Sequence, residues 1–535
     1  MELLRELLEL QHQHGFLADR QLEDVARRHA VPHYRLEGLV SFYSHFRRTP
    51  PPARQLAVCR DVVCRMHGCE ELKHQLEQLA SNNPDLEIVE VSCLGRCDHA
   101  PAVAVNHRPA SSTAANAIPL LDDNSVDWLT PTPHDTWQAD PYSHPRDHYS
   151  TLTQLANNLP TLPDTCISRL ELAGLRGMGG AGFPTARKWR LVADQDADTK
   201  YVICNADESE PGTFKDRVLL GTVPHLLIEG MVLAGLSVEA DRGIIFLRNE
   251  YSLEQQLLEA ALQDATRRGV LGPDAAGSGR AFEIEIFVSP GGYILGEETA
   301  LLEALEDRRG EPRNKPPYPG QVGLFGQPTL INNVETFVLA VPIIARGPDW
   351  WTLQGADGFD GLKFVSISGD VHQPGVHEIP VGTTVQELID RAGGVAGGAA
   401  VKAFLPGGAS SNFLPANRLD TPLDFDTIAE AGSMFGTGAV IVVAEGRNLF
   451  DLATSLVRFF RNESCGKCVP CRIGSHHAVR LLEQVADNNA NPDTLGELNQ
   501  LADTLQQTSI CGLGQVALVP ILSMLEHFPD EVPGS

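Results

Sequence analysis

The stretch Tyr201-Val-Ile-Cys-Asn-Ala-Asp-Glu-Ser-Glu-Pro-Gly-Thr-Phe-Lys215 passes from an apolar run into an acidic loop. The apolar part predicts a buried strand, and a second apolar run, Gly243-Ile-Ile-Phe-Leu247, predicts another. Helical stretches lie between them, which favours an α/β fold. Polar groups at the carboxyl ends of strands commonly form the ligand crevice of such folds. Asn205, Asp207 and Ser209 are therefore candidates for holding a cofactor, with an acidic solvated turn as the alternative.

Two glycine-rich loops flank this stretch. The first, Gly177-Met-Gly-Gly-Ala-Gly182, has the G-x-G-x-x-G spacing, but residues 168–173 before it predict a helix, so a standard dinucleotide fold is not indicated. A run without Cβ atoms still lets backbone N–H groups approach a phosphate or a flat ring, and a plain flexible loop is the alternative. The second, Gly291–Thr299, carries Glu297 and Glu298 at a predicted helix start, where the helix dipole by itself favours acids.

Four cysteines near the C-terminus have the spacing of a cluster site. Cys465, Cys468 and Cys471 form C-x2-C-x2-C, and Cys511 follows in Ser-Ile-Cys-Gly-Leu-Gly. Three closely spaced thiolates and one distant thiolate are typical of a [4Fe–4S] cluster. Four thiolates also bind zinc, but zinc sites usually come as two separated pairs.

A second set of four cysteines lies near the N-terminus, as Cys59-Arg-Asp-Val-Val-Cys64 and Cys93-Leu-Gly-Arg-Cys97. Two pairs on two loops suit a [2Fe–2S] cluster with one pair on each iron, and both spacings are wide for a zinc knuckle. The other three cysteines are expected to be packed core thiols: Cys69, Cys166 and Cys204.

The pattern along the chain predicts an α/β multidomain protein. We expect a [2Fe–2S] domain over 1–107, a linker over 108–150, a cofactor-binding α/β domain over 151–355, a small glycine-rich domain over 356–445, and a helical bundle with a [4Fe–4S] cluster over 446–535. The linker is expected to have little structure of its own because it is rich in Pro, Asp, Ser, Thr and His, as in Pro131-Thr-Pro-His134.

Composition excludes several classes of function. The 535 residues carry a formal net charge of −27, which argues against nucleic acid or an anionic membrane as a partner. No run of about 18 apolar residues predicts a membrane span. The first residues lack the pattern of a signal peptide, so we expect a cytoplasmic protein. Histidine and serine form no convincing catalytic triad.

Taken together, these motifs resemble a known family. Residues 151–535 resemble the flavin-bearing, NADH-oxidising subunit of respiratory complex I, through GLRGMGGAGFPTARKW, CNADESEPGTFKDR, GGYILGEETALLEALE, PTLINNVET, ESCGKCVPCR and SICGLG. Residues 1–106 resemble the thioredoxin-like [2Fe–2S] subunit of the same module, through EGLVSFYSHFR, CRDVVC and SCLGRCDHAPAV. The resemblance implies a thioredoxin-like N-terminal domain, a Rossmann-like FMN and NADH domain, a ubiquitin-like β-grasp domain and a C-terminal four-helix bundle.

The resemblance also implies the ligands of each cofactor. FMN would lie on Gly177, Gly179, Lys188, Asn205, Asp207, Glu208, Ser209, Gly296, Asn332, Asn333 and Thr336. NAD(H) would lie near Phe183, Glu210, Glu297, Glu298, Lys315 and Tyr318, with Glu210 and Glu298 positioning it for hydride exchange. The two cysteine sets would hold the [2Fe–2S] and [4Fe–4S] clusters.

Both halves in one chain occur in soluble NAD-coupled relatives of complex I. Two kinds stand out: the β subunit of molybdenum- or tungsten-dependent NAD formate dehydrogenases, to which GGYILGEETALLEALEDRRGEPRNKPPYP looks more similar, and the flavin subunit of NAD-reducing hydrogenases. Either resemblance implies a catalytic partner subunit, which would carry molybdenum or tungsten pterin and further clusters in the first case. A cluster-bearing redox sensor and a diaphorase that acts alone are the competing interpretations.

Overall fold

The structure is a computed structural model, and it describes residues 1–81, 83–113, 116–130, 136–489 and 493–534. The chain begins with three helices, α1 (Glu2–His14), α2 (Asp19–Arg28) and α3 (His33–Val40). Leucines at helical spacing bury one face of each helix, among them Leu4, Leu7 and Leu22.

A small four-stranded sheet follows. Its elements are β1 (Arg54–Cys59), α4 (Val62–Met66), α5 (Cys69–Ala80), β2 (Leu86–Val91), β3 (Val103–Val105) and β4 (Arg108–Ala110). The strand order is β2-β1-β3-β4, with β1 parallel to β2 and β3 antiparallel to its two neighbours. Cys69 is buried at the start of α5, as expected of a packed thiol.

The segment predicted as a linker has more structure than expected. Its first residues form β4 because their backbone groups pair with β3. Farther along, the Trp137 indole donates to Thr222, and the Tyr142 hydroxyl contacts the buried carboxylate of Glu229. These contacts fasten the segment to the central domain. The Pro131–His134 part of the prediction lies outside the described residues.

The central domain contains a parallel four-stranded sheet. Its helices are α6 (Ser150–Ala156), α7 (Leu162–Leu172), α8 (Thr185–Ala193), α9 (Lys215–Thr222), α10 (Pro224–Val238), α11 (Ser252–Arg267), α12 (Glu298–Leu305), α13 (Val334–Arg346) and α14 (Pro348–Thr352). Its strands are β5 (Tyr201–Ala206), β6 (Arg242–Leu247), β7 (Glu283–Val288) and β8 (Thr329–Asn333), in the order β7-β6-β5-β8. Since α7 precedes the first glycine loop, that loop does not follow a strand, as the sequence indicated.

The next domain is a mixed five-stranded sheet with short helices. It comprises β9 (Leu362–Gly369), β10 (Gly375–Pro380), α15 (Val385–Arg391), β11 (Val401–Leu405), β12 (Leu414–Pro415), α16 (Phe425–Glu430) and β13 (Ala439–Ala444). The order is β10-β9-β13-β11-β12, and β9 and β13 are parallel neighbours at its centre.

The C-terminal residues form a helical bundle. Its helices are α17 (Leu449–Asn462), α18 (Val469–Ala486), α19 (Thr494–Thr508), α20 (Gly512–Val516) and α21 (Val519–His527). Phe459 and Phe460 of α17 are buried, and both pack against Tyr293 of the central domain. The bundle is therefore joined to the second glycine loop.

Within the described residues, no single helix has both the length and the apolar composition needed to cross a membrane; α9 and α10, bent by 95°, meet that test only as a pair.

Candidate functional site

The carboxyl ends of the four parallel strands bring the predicted FMN residues together. Asn205 on β5 is in register with Phe246 on β6 and with Asn333 on β8. The acidic loop follows β5, and the Gly291–Thr299 loop follows β7. Because β5 lies between β6 and β8, these loops border one crevice, which is where ligands bind in open α/β sheets.

Hydrogen bonds within the β5 loop, and between it and the loop after β7, fix its conformation. The Asn205 amide donates to the Gly296 carbonyl at 2.7 Å, which joins the two loops. The Asp207 carboxylate accepts hydrogen bonds from Ser209 at 2.6 Å and from Ser289 at 2.7 Å. Burial raises the pKa of Asp207 to about 6, although these two hydroxyls oppose the rise.

Glu208 stabilises the loop through backbone donors. Its carboxylate accepts from the backbone N–H of Asp216 at 2.9 Å and of Arg217 at 3.1 Å, and from the Tyr251 hydroxyl at 2.8 Å. Burial raises its pKa to about 7. Glu208, which was predicted to contact FMN, therefore uses its carboxylate to stabilise the loop.

Glu210 is held by Ser410, which lies in the turn between β11 and β12 of the neighbouring domain. Its carboxylate accepts from the Ser410 backbone N–H at 2.8 Å and from the Ser410 hydroxyl at 2.5 Å. Burial raises the pKa of Glu210 to about 7, the hydrogen bonds from Ser410 lower it, and the nearby Cys93 raises it further. Glu210 therefore titrates near neutral pH.

The first glycine loop lies against the end of β8 and the start of α13. The Met178 N–H donates to the Thr336 hydroxyl at 2.9 Å, and the Gly177 N–H donates to the Phe183 carbonyl at 2.8 Å. A Cβ on Gly179 would lie 3.1 Å from the Cβ of Asn333. A side chain at that position would crowd Asn333, so the close approach favours glycine.

One buried polar atom in the crevice lacks a partner among the described residues. The side-chain oxygen of Asn332 is buried and accepts no hydrogen bond, which is costly unless a ligand satisfies it. The neighbouring Asn333 is engaged, since its oxygen accepts from Lys215 at 3.2 Å. A bound polyol such as the ribityl chain of FMN would supply the missing donor, so these residues fit the cofactor.

A charged rim borders the crevice. Lys315 donates to Glu297 at 2.9 Å and to Glu298 at 3.2 Å, and Lys188 lies 3.7 Å from Glu298. These two cations lower the pKa of Glu298 against the effect of its burial. Glu297 also caps α12 by accepting from the backbone N–H groups of Thr299 and Ala300. The rim therefore offers both cations and carboxylates to a polar ligand.

Two of the residues predicted to contact NAD(H) are exposed aromatics. Phe183 is 40% exposed and Tyr318 is 53% exposed. Exposed rings beside a polar crevice offer flat surfaces on which a base can stack.

The four N-terminal thiols are enclosed at a domain junction. The Cys93 and Cys97 sulfurs lie 3.8 Å apart, and Cys59 and Cys64 are also adjacent. A tetrahedral metal with metal–sulfur bonds of about 2.3 Å places two thiolates about 3.8 Å apart, so each pair can hold one metal ion. Backbone N–H groups of Ala102, Gly95 and Gly212 donate to Cys64, Cys93 and Cys97.

The four C-terminal thiols lie nearer to the surface. Cys471 is buried, whereas Cys465, Cys468 and Cys511 are half-buried. A Cβ on Gly514 would lie 3.0 Å from the Cβ of Cys471, which shows that the distant Cys511 loop reaches the triplet. Burial raises the pKa of Cys471 to about 11 and of Cys511 to about 12, so a bound metal, rather than bulk water, would stabilise the thiolates.

Several residues that join these parts were missed by the sequence analysis. Arg248 donates to the Cys93 carbonyl and to the Glu208 carbonyl, and Glu463 accepts from Ser92 and from the Tyr293 N–H. A buried ion cluster ties the β-grasp sheet to α13, with Lys363 2.6 Å and Lys215 2.9 Å from Glu335. Lys215 lies at the end of the acidic-loop stretch, whereas Ser410, Arg248 and Glu463 had no local signal.

Comparisons with known proteins match each of these regions. Family models match residues 1–122 as a thioredoxin-like [2Fe-2S] ferredoxin, 170–342 as the Nuo51 FMN-binding domain, 363–442 as an SLBB domain and 451–534 as the NADH-ubiquinone oxidoreductase-F iron-sulfur binding region. They confirm the expected fold of four parts and the expected cofactors, which are FMN, NAD(H), a [2Fe–2S] cluster and a [4Fe–4S] cluster.

Relatives cover most of the chain. An NADH-quinone oxidoreductase F subunit of Rhizobium meliloti is 40% identical over 370 residues, which is 69% of this chain and 88% of the relative. The corresponding F subunit of Escherichia coli is 41% identical over 372 residues, 69% and 84% of the two chains. A chain of an NAD+-reducing [NiFe]-hydrogenase in the H2-reduced state is 32% identical, with a TM-score of 0.88 over 98% of this chain and 92% of that one.

Proposed function

Since the chain belongs to the family of NADH-quinone oxidoreductase F subunits, we propose that it is the NAD(H)-facing diaphorase subunit of a larger NAD-dependent oxidoreductase. The observation that carries the proposal is the convergence of four strand ends on a crevice that lies beside both thiol sets. The crevice residues would hold FMN there, and the flavin would supply the conversion between hydride exchange with NAD(H) and single-electron exchange with iron–sulfur clusters.

The residues of the chain bind and orient the two nucleotides. We assign the ribityl and phosphate groups of FMN to the first glycine loop, Asn332 and Lys188. The loop consists mostly of residues without a Cβ atom, Asn332 has an unpartnered oxygen and Lys188 is a cation. We assign NAD(H) to the outer crevice, where Phe183 and Tyr318 offer exposed rings. Glu298 at the rim and Glu210 on the β5 loop then position the nicotinamide nucleotide.

The Glu210→Gln variant tests this assignment. Glutamine keeps the size and the hydrogen bonds from Ser410 but removes the charge, so FMN should stay bound while kcat/KM for NADH oxidation by ferricyanide falls about tenfold, or ~1.4 kcal/mol. The matched control is Glu259→Gln, an exposed glutamate on α11. An unchanged rate at full FMN content would refute the role of Glu210.

We propose further that the partner is a formate-oxidising subunit that carries molybdenum or tungsten pterin. The segment from Gly291 to Pro319 supports this assignment by its resemblance to formate dehydrogenase β subunits. Val469 and Ile473 lie beside Cys468 and Cys471, and they are 60% and 57% exposed. Exposed apolar side chains next to a cluster site suit the docking of a partner that exchanges electrons there.

A hydrogen-oxidising partner is the second candidate. It is favoured by the structural similarity to the NAD+-reducing [NiFe]-hydrogenase chain, because that similarity covers 98% of this chain. Purification of the complex from its native host separates the two candidates. Molybdenum or tungsten and formate-dependent NAD+ reduction would support the first, whereas nickel and H2-dependent reduction would replace it with the second.

A further inference from the structure

A cluster of two histidines and an aspartate lies apart from the crevice and from both thiol sets. Asp140 and His148 belong to the segment that follows the small sheet, and His225 is in the first turn of α10. One donor atom from each of the three lies within 4.8 Å of the other two. We propose that Asp140, His148 and His225 form a binding site for a zinc ion that fastens this segment to α10.

The distances suit a metal ion. The His225 Nε2 atom lies 3.2 Å from an Asp140 carboxylate oxygen. In a tetrahedral zinc site, bonds of about 2.0–2.1 Å separate neighbouring ligand atoms by about 3.3 Å. The His148 and His225 rings are stacked, with centroids 3.6 Å apart and planes 4° apart. The third ligand is thus already beside the first two. Because an imidazole nitrogen coordinates a metal in the plane of its ring, His148 would have to turn out of the stack with His225 to direct its nitrogen to the ion.

His148 is in the chemical form that a metal needs. Burial, and then the adjacent His225, lower the pKa of His148 to about 4, so its imidazole is neutral at pH 7. A neutral imidazole offers a lone pair to a metal. Neither ring nitrogen of His148 has a hydrogen-bond partner within the described part of the chain, so the ring is available for coordination.

The surrounding charges allow a cation. Glu229 lies one helical turn from His225 on α10 and is held by Tyr142. Arg268 lies close to His148, and Asp264 neutralises it at 2.7 Å. Arg346 also borders the site, where it donates to the Asp140 backbone carbonyl at 3.1 Å. Two imidazoles and one carboxylate are ligands that zinc prefers, and water can take the fourth position.

Such an ion would add to contacts that already hold this segment against the central domain. Trp137 and Tyr142 of the same segment bind Thr222 and Glu229 of the central domain. Zinc would add a link between Asp140, His148 and His225, and so fix the path from the small sheet to the central domain.

The test uses the full chain with FMN and both clusters in place. The protein is incubated with zinc sulfate and freed of excess by gel filtration, and its zinc content and Zn K-edge X-ray absorption are measured. We expect one zinc per chain with nitrogen and oxygen ligands only. The His148→Gln variant should bind at least tenfold more weakly while its FMN content, iron content and NADH–ferricyanide rate stay unchanged.

Two controls make the result decisive. His74→Gln removes an exposed histidine of α5 and should bind zinc as the unchanged protein does. Sulfur ligands at about 2.3 Å would place the ion on cysteines and overturn the proposal. Full zinc binding by His148→Gln, or no binding by the unchanged protein, would overturn it as well.

Discussion

The two thiol sets differ in how the fold encloses them. In the N-terminal set, Cys59, Cys64, Cys93 and Cys97 are all at most 5% exposed. Backbone N–H groups surround them, one from the central domain, and Arg248 holds the Cys93 carbonyl. In the C-terminal set, three of the four cysteines are half-buried, and exposed Val469 and Ile473 lie alongside.

The difference suggests separate roles for the two sets. Electron transfer to another subunit requires a cluster close to the surface, and the C-terminal set meets that requirement. The N-terminal set is enclosed between domains and lies beside Glu210, whose pKa Cys93 raises. We infer that electrons leave or enter the chain through the C-terminal set. The N-terminal set would take up electrons without lying on the path to the partner.

The largest expected effect comes from Cys471→Ser. Serine removes one of the three closely spaced ligands, so reduction of the [4Fe–4S] cluster and of a partner should be lost, by more than about 100-fold. NADH should still bleach the flavin at a normal rate, because the crevice residues are intact. Stopped-flow absorbance at flavin and cluster wavelengths measures both steps.

Cys69→Ser is the control for that experiment, since it replaces a buried thiol that belongs to neither set. It should leave both steps unchanged. If Cys471→Ser abolished flavin bleaching too, the cysteine would have a folding role. The assignment of separate roles to the two thiol sets would then be wrong.

An intermediate effect is expected from Cys93→Ser. The [2Fe–2S] electron paramagnetic resonance signal should disappear, while NADH-driven reduction of the C-terminal cluster should change by no more than about twofold. FMN content monitors folding at the domain junction. Loss of C-terminal reduction at full FMN content would put the N-terminal set on the main path.

The smallest effect is expected from Ser410→Ala, as a shift in the pH profile. The Ser410 hydroxyl favours the ionised form of Glu210, so its removal should raise the pKa of Glu210 above about 7. If NADH oxidation needs the carboxylate, the midpoint of the pH profile of its rate should move to higher pH by roughly half to one unit. The rates should converge at pH 9, where Glu210 is ionised in both proteins; an unmoved midpoint would show that Glu210 does not control the rate.

Much of the fold could be predicted from local patterns. Apolar runs predicted β5 and β6, and the pattern along the chain predicted the C-terminal helical bundle, because burial imposes a period on each kind of element. The linker prediction was wrong for its first residues, since the pairing of β4 with β3 depends on a strand edge that composition does not reveal. The assignments of individual FMN and NAD(H) contacts stay predictions.

The sequence by itself indicated the two cluster sites and, through the resemblance to a known family, the flavin and nicotinamide nucleotides. Cys465, Cys468 and Cys471 are three residues apart, and the glycine loop is six residues long, so their chemistry is fixed by short-range chain geometry. Only the tertiary structure decided how the parts meet. Ser410 reaches Glu210 across 200 residues, and Asp140 meets His225 across 85, because packing between domains, rather than spacing along the chain, brings these side chains together.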